Sequence, residues 1–207
     1  MIDFRLYLVT DRRLAPARAL DDAVADACRA GVRAVQLREK DLDAKSLFEL
    51  ALGLRRIASS SGAAFFVNDR ADIARAARAA GLHCPEDGFP PEVARRILGE
   101  RAIIGVSTHS LEAALDAEEH GADFITFGPV FETPSKFRYG APQGLQKLRS
   151  VAAAAKIPVF AIGGVTSARA KICLDHGARG VAVVSAILGA SDVGRAVGDF
   201  EKAMGGL

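Results

Sequence analysis

Short apolar runs alternate with Ala-rich amphipathic stretches from one end of the chain to the other, and this alternation restricts the fold more than any other feature. The runs "RLYLVT", "VRAVQLR", "AAFFVND", "GLHC", "AIIGVS", "DFITFGP", "IPVFAIGG" and "GVAVVS" make eight candidate strands. Between most of them lie stretches such as "LDDAVADACRA", "DAKSLFELALGLRRIA" and "SLEAALDAEEHG", whose charges recur at helical spacing. Strand and helix in alternation predict parallel strands joined by helical crossovers, and unbroken apolar runs indicate strands buried on both faces. Eight such units predict an α/β fold of the closed (β/α)8 TIM-barrel type. Barrels of this kind usually take about 250 residues and can be built with roughly 200. A chain of 207 residues therefore makes a compact barrel with short loops, as a single domain over residues 1–207. The least marked units are the fourth strand, near Gly81 to Cys84, and the helix after Pro91. A doubly wound open sheet is the alternative, but the first strand-to-helix junction, "VTDRRLAPA", lacks the Gly-rich dinucleotide fingerprint.

Helix boundaries agree with this partition. Asp192 is placed to cap a last helix running from Val193 towards Met204, and Ser110 to cap "LEAALDAEEH". Gly121 and Gly177 follow helices where a left-handed terminating residue is wanted. The stretch "ETPSKFRYGAPQG", Glu132 to Gly144, is an exception to the short-loop rule, and long loops in compact domains tend to be functional.

Charge excludes some classes of partner. A net charge of +2, from 27 basic and 25 acidic residues spread along the length, implies no broad basic face for nucleic acid or for an anionic membrane. Cys28, Cys84 and Cys173 are odd in number and far apart, without metal-ligand spacing, which reads as buried thiols in a reducing cytosol. The apolar run near the amino terminus is too brief for a signal sequence or a membrane span. The expected localisation is cytoplasmic, and exposed apolar helix faces leave a homo-oligomer open.

In a (β/α)8 barrel the reacting groups sit on loops at the carboxyl ends of the strands. Strand two ends in "QLREK", and alternation turns Gln36, Arg38 and Lys40 one way while Leu37 and Glu39 turn the other. Strand three ends in Asn68, Asp69 and Arg70, strand five in Ser107, Thr108 and His109, and strand six leads to Thr133, Ser135 and Lys136. Arg and Lys present several donors to phosphate oxygens, and Asp69 among them offers a hard oxygen ligand for Mg²⁺ bridging those oxygens. The combination indicates a pyrophosphate. Read singly, "REKD" is equally a solvated turn, and Asn68 and Asp69 equally a helix cap. A second anion site is indicated where "AIGGV" and "VAVVSAIL" place Gly163, Gly164 and Ser185 after strands seven and eight, a position at which barrels bind phosphate with backbone N–H groups.

"YLVTD", "VQLREKD", "FVNDRADIA", "GVSTHS", "GADFITFGPVFETPSK", "VFAIGGV" and "GVAVVSAI" together resemble the thiamine phosphate synthase/TenI superfamily, in order and spacing and over nearly the whole chain. The resemblance implies a synthase that joins hydroxymethylpyrimidine pyrophosphate to thiazole phosphate, releasing pyrophosphate and forming thiamine phosphate. It assigns Gln36, Arg38, Lys40, Asn68, Ser107 and Lys136 to the pyrimidine pyrophosphate and Asp69 to Mg²⁺. It assigns Thr133 and the backbone of Gly164, Val184 and Ser185 to the thiazole phosphate. One segment departs from the synthase pattern H-L-G-Q-x-D, whose Asp is a second Mg²⁺ ligand. Here "HCPEDG" puts Gly88 at that position, so Glu86, Asp87 or a further water would have to substitute. The segment is similar to the TenI branch, which implies a thiazole tautomerase as one alternative and a non-catalytic thiazole or thiamine phosphate-binding protein as another. That branch's acid/base histidine falls at Pro129, and "FGPVFE" reads as in synthases. His83 and His109 are expected to be structural or to shape the substrate site, and His120 and His176 to sit on the surface near helix ends.

Overall fold

A computed structural model describes residues 2–15, 19–133 and 141–205. Its parallel strands are β1 (Leu6–Val9), β2 (Ala34–Leu37), β3 (Ala64–Asn68), β4 (Gly81–Cys84), β5 (Ile103–Thr108), β6 (Phe124–Phe127), β7 (Val159–Ile162) and β8 (Gly180–Val183), and they close in that order, β8 pairing back on β1. Outside them run α1 (Leu20–Arg29), α2 (Ala44–Ser60), α3 (Ala71–Ala76), α4 (Pro91–Leu98), α5 (Leu111–Glu119), α6 (Gly144–Ala154), α7 (Ser167–Asp175), the single turn α8 (Ser185–Leu188) and α9 (Val193–Ala203). All the expected strands form, including the fourth, and the helix after Pro91 forms as well. Asp192 caps α9 by accepting from the Arg195 N–H at 2.8 Å, and Ser110 caps α5 by accepting from the Ala113 N–H at 3.0 Å. Gly121 and Gly177 terminate their helices at φ 88° and 91°.

Alternation along each strand sorts side chains between two cores. Leu8, Val35, Leu37, Val67 and Ile125 face outward into the shell beneath the helices, whereas Tyr7, Ala34, Phe66, Phe124, Phe160 and Ala182 face the axis. The rings of Phe4, Tyr7, Phe66, Phe124 and Phe160 plug the amino-terminal half of the barrel. Their centroids lie 5.1–6.3 Å apart, and Phe4 meets Phe124 edge-on at 90°. The plug fits because neighbouring inward positions are empty of side chain: a Cβ on Gly81 would lie 1.8 Å from the Ile103 carbonyl oxygen, and one on Gly105 2.3 Å from the Phe124 ring. Gly81→Ala is therefore expected to destabilise the protein by about 1–3 kcal/mol through overpacking, read as a lower urea midpoint. An unchanged midpoint would show that the β4 backbone yields at no cost. The three cysteines are buried, and burial pushes their thiols up, Cys28 and Cys173 to about 11 and Cys84 to about 12, so none is an activated nucleophile.

Candidate active site

Alternate positions along β2 and one residue beyond its end carry the barrel from apolar to charged. Ala34 belongs to the aromatic plug, Gln36 to a polar layer above it, and Arg38 to the rim. Gln36 is 2% exposed and its Nε2 donates to the Tyr7 hydroxyl at 3.0 Å. That hydroxyl lies 3.4 Å from His83 Nδ1, and His83 Nε2 lies 3.1 Å from Ser107 Oγ and 3.4 Å from Thr126 Oγ1. Burial pushes His83 down to about 3, with the positive charge of Arg38 adding to the effect, so the imidazole is neutral at ordinary pH. Burial raises Tyr7, against the hydrogen bond from Gln36, and keeps it a phenol.

This buried histidine gives stability a definite pH dependence. Its folded pKa lies below the ordinary value of 6.5, so between the two the unfolded chain binds a proton that the folded one refuses. Stability is unaffected by His83 above pH 6.5 and falls as the pH drops below it. The contribution is roughly 2 kcal/mol lost between pH 7.5 and pH 5, and His83→Gln is expected to remove that part of the slope in urea titrations.

At the rim, the Arg38 backbone N–H donates to Thr10 Oγ1 at 2.9 Å, which ties the end of β2 to that of β1. Asp11 is held low chiefly by a hydrogen bond from Arg13, and the Arg38 charge contributes as well. The same charge is felt at Asp11, beyond β1, and at His83 on β4. Among the described residues no hydrogen bond or ion pair holds the side chain of Arg38 or the exposed Lys40. Glu39 turns the other way, as alternation requires, and is 5% exposed. Its carboxylate accepts from Arg12, once from the backbone N–H and once from Nη1, both at 3.0 Å. Arg12 also grips Asp41 through both terminal nitrogens, at 2.7 and 2.8 Å, which holds Asp41 down at about 2. The strap fixes the loop that carries Arg38 and Lys40.

Asn68 ends β3 in register with His83, half-buried at the mouth. Asp69 follows at φ 64°, a left-handed conformation that Asp tolerates better than most residues and that often marks a functional position. Its carboxylate is exposed, and its charge reaches the end of β4, where it adds to burial in raising Cys84. Arg70 folds back onto Asp72, at 2.9 and 2.6 Å, and leaves the mouth. Beyond β4 the Glu86 carboxylate accepts from the His109 backbone N–H at 2.6 Å, and His109 Nδ1 meets the Gly128 carbonyl. Glu86 is thus engaged as a strap between loops, while Asp87 is exposed. A Cβ on Gly88 would come within 2.7 Å of the Pro85 ring, so no carboxylate fits there without displacing that ring. Among the described residues no three His, Cys, Asp or Glu side chains cluster as metal ligands. The donor set therefore fits a hard cation of the Mg²⁺ kind with few protein carboxylates, Asp69 among them, and phosphate oxygens and water as the rest, an arrangement Mg²⁺ commonly adopts.

On the other side of the mouth, Gly163 and Gly164 take φ 92° and 64°, and the chain after β6 lies directly on them. The Phe131 N–H donates to the Gly163 carbonyl at 3.0 Å, and a Cβ on Gly164 would stand 2.5 Å from the Glu132 carbonyl oxygen. The Arg169 guanidinium sits 4.7 Å from the Phe131 ring centroid and donates to the Gly164 carbonyl at 2.8 Å. Val184 precedes α8, which begins at Ser185, as expected. Thr133 is described, whereas Ser135 and Lys136 lie outside the described residues.

The structure thus brings Gln36, Arg38, Asn68 and Ser107 to one mouth, with Asp69 at its edge. It turns away two polar groups grouped with them in the sequence: Arg70, and Thr108, which is buried and donates to the Thr126 carbonyl at 3.2 Å. Sequence reasoning missed Arg12 and Tyr7. The only signals were a second basic residue in "TDRR" and a tyrosine inside an apolar strand.

A family model described as thiamine monophosphate synthase matches residues 6–187. A thiamine-phosphate synthase of Moorella thermoacetica is 43% identical over 196 residues, covering 95% of this chain and 93% of the relative. One of Syntrophomonas wolfei is 44% identical over 191 residues, covering 92% and 91%. Among solved structures, a thiamine phosphate pyrophosphorylase from Pyrococcus furiosus superposes with a TM-score of 0.88 at 39% identity, covering 97% of this chain and 95% of the other.

Proposed function

The chain belongs to the thiamine monophosphate synthase family, and from that premise we propose that it couples hydroxymethylpyrimidine pyrophosphate with thiazole phosphate to give thiamine phosphate and pyrophosphate. The reading is supported most directly by Arg38, one residue beyond the end of β2, whose side chain makes no hydrogen bond or ion pair among the described residues and whose charge is felt at His83, the neighbour of Ser107. A cationic group at a strand end with no hydrogen-bonded protein partner suits an anionic ligand.

The reaction breaks the bond between the pyrimidine methylene carbon and the pyrophosphate oxygen, and the electron pair leaves with the oxygen. The ring nitrogen of the thiazole then gives its lone pair to the methylene carbon and becomes a thiazolium. Negative charge grows on the departing oxygen, so the groups that matter are donors fixed before the reaction starts. Arg38, Lys40, Ser107 and Lys136 serve the pyrophosphate, while Gln36 and Asn68 orient the pyrimidine. Thr133 and the backbone of Gly164, Val184 and Ser185 hold the thiazole phosphate, so that the nitrogen faces the carbon it attacks. Asp69 would hold Mg²⁺, which would supply positive charge to offset that on the leaving pyrophosphate. The proposed substrates are small, phosphorylated and water-soluble, and on that ground we assign the protein to the cytoplasm; among the described residues no helix is long and apolar enough to cross a membrane.

Mixing the purified protein with both substrates and Mg²⁺ is expected to yield thiamine phosphate, and a chelator to stop it. No product with either Mg²⁺ or Mn²⁺ would overturn the assignment.

A further inference from the structure

A neutral imidazole carries one N–H, and the partners of His83 decide where it sits. Nδ1 faces the Tyr7 hydroxyl at 3.4 Å, and Nε2 faces Ser107 at 3.1 Å and Thr126 at 3.4 Å. The Tyr7 oxygen already accepts a hydrogen from Gln36 Nε2 at 3.0 Å, so its own proton is free to be donated. Among the described residues, the acceptor within reach of that proton is His83 Nδ1. With Nδ1 accepting, the imidazole proton lies on Nε2 and is given to the nearer hydroxyl, Ser107 Oγ.

We propose that Tyr7 and His83 form a one-way hydrogen-bond relay from Gln36 to Ser107 whose purpose is to make the Ser107 hydroxyl a donor towards the barrel mouth. The chemistry of the ligand explains why direction matters. If His83 carried its proton on Nδ1, Ser107 would donate downward to Nε2 and present only lone pairs to whatever lies above, which repels a phosphate oxygen. With the proton on Nε2, Ser107 receives from below and its own hydrogen is available to an anion. Tyr7 and His83 are positioning residues that act through Ser107. The tautomer is the one atom-level property of this layer that a merely space-filling role leaves undetermined. The proposal deepens the synthase reading and rests on it only for the identity of the anion.

The test uses the full chain, ¹⁵N-labelled at histidine, with inorganic pyrophosphate and Mg²⁺ as the probe. The His83 signal, assigned by its loss in His83→Gln, is expected to show Nε2 protonated and Nδ1 unprotonated in the wild-type protein. Tyr7→Phe keeps the ring in the plug and is expected to shift the tautomer balance and to weaken pyrophosphate binding on the order of tenfold. In the Ser107→Ala background the same Tyr7→Phe change is expected to have no further effect on binding. An Nδ1–H tautomer in the wild-type protein would overturn the relay. So would additive effects of Tyr7→Phe and Ser107→Ala. None of these readouts requires turnover, so failure of the relay and failure of the synthase assay are separate results.

Discussion

Arg38→Ala is expected to lower kcat/KM for thiamine phosphate formation by about 10- to 100-fold, the equivalent of losing charge-assisted hydrogen bonds to the leaving pyrophosphate. The charge that Arg38 meets is larger at the point of bond cleavage than in the bound substrate, so kcat should carry most of the loss and KM little of it. Fold stability should change little, because neither an ion pair nor a hydrogen bond within the described residues depends on that guanidinium. Steady-state kinetics and a urea titration on the same preparation separate these contributions. Lys136→Ala should behave alike in kinetics if the loop after β6 brings that cation to the same phosphate. Unchanged kinetics in both variants would refute the proposed site.

Asp69→Asn is expected to have the larger effect, a fall of at least about 100-fold in activity at a fixed Mg²⁺ concentration, since several kcal/mol of charge stabilisation depend on the metal. Asparagine is the informative replacement because it also tolerates the left-handed backbone at φ 64°, so the turn after β3 survives. Gly88 and Glu86 offer no replacement, since one is closed to a side chain by Pro85 and the other is bound to the His109 N–H; exposed Asp87 is the further carboxylate of that segment. Mn²⁺ titrated in the presence of pyrophosphate and followed by electron paramagnetic resonance should bind tightly to the wild-type protein and at least about tenfold more weakly to the variant. Equal Mn²⁺ binding by the two proteins would remove Asp69 from the metal site.

The barrel was legible because its determinants are local. Each strand announces itself as an apolar run, and the two-residue period of "AVQLR" is enough to turn Gln36 inward and Leu37 outward. Alternation stops being a guide where the strand stops. Asp69 takes a left-handed conformation, the next residues change direction, and Arg70 pairs with Asp72 at the surface when a continued strand would have kept it near the mouth. Glu39 was correctly turned away from Arg38, but its partner Arg12 lies 27 residues earlier on another loop, and such pairing leaves no periodic trace in a sequence. Tyr7 was hidden for a different reason. In "LYLV" it reads as one more apolar residue, and its ring does pack as one; only the hydroxyl, meeting Gln36 and His83 from other strands, belongs to the site. The departure at "HCPEDG" was visible as a missing carboxylate, whereas the contact between the Gly88 position and the Pro85 ring that closes it is a matter of three dimensions.

The account depends on a pyrophosphate seated at the carboxyl-terminal rim of the barrel. A crystal grown with Mg²⁺ and pyrophosphate tests this most directly. The expected result is an anion bound by Arg38 and Ser107 with Asp69 on the metal beside it. An anion found elsewhere on the molecule, with Arg38 and Asp69 both left in solvent, would contradict it.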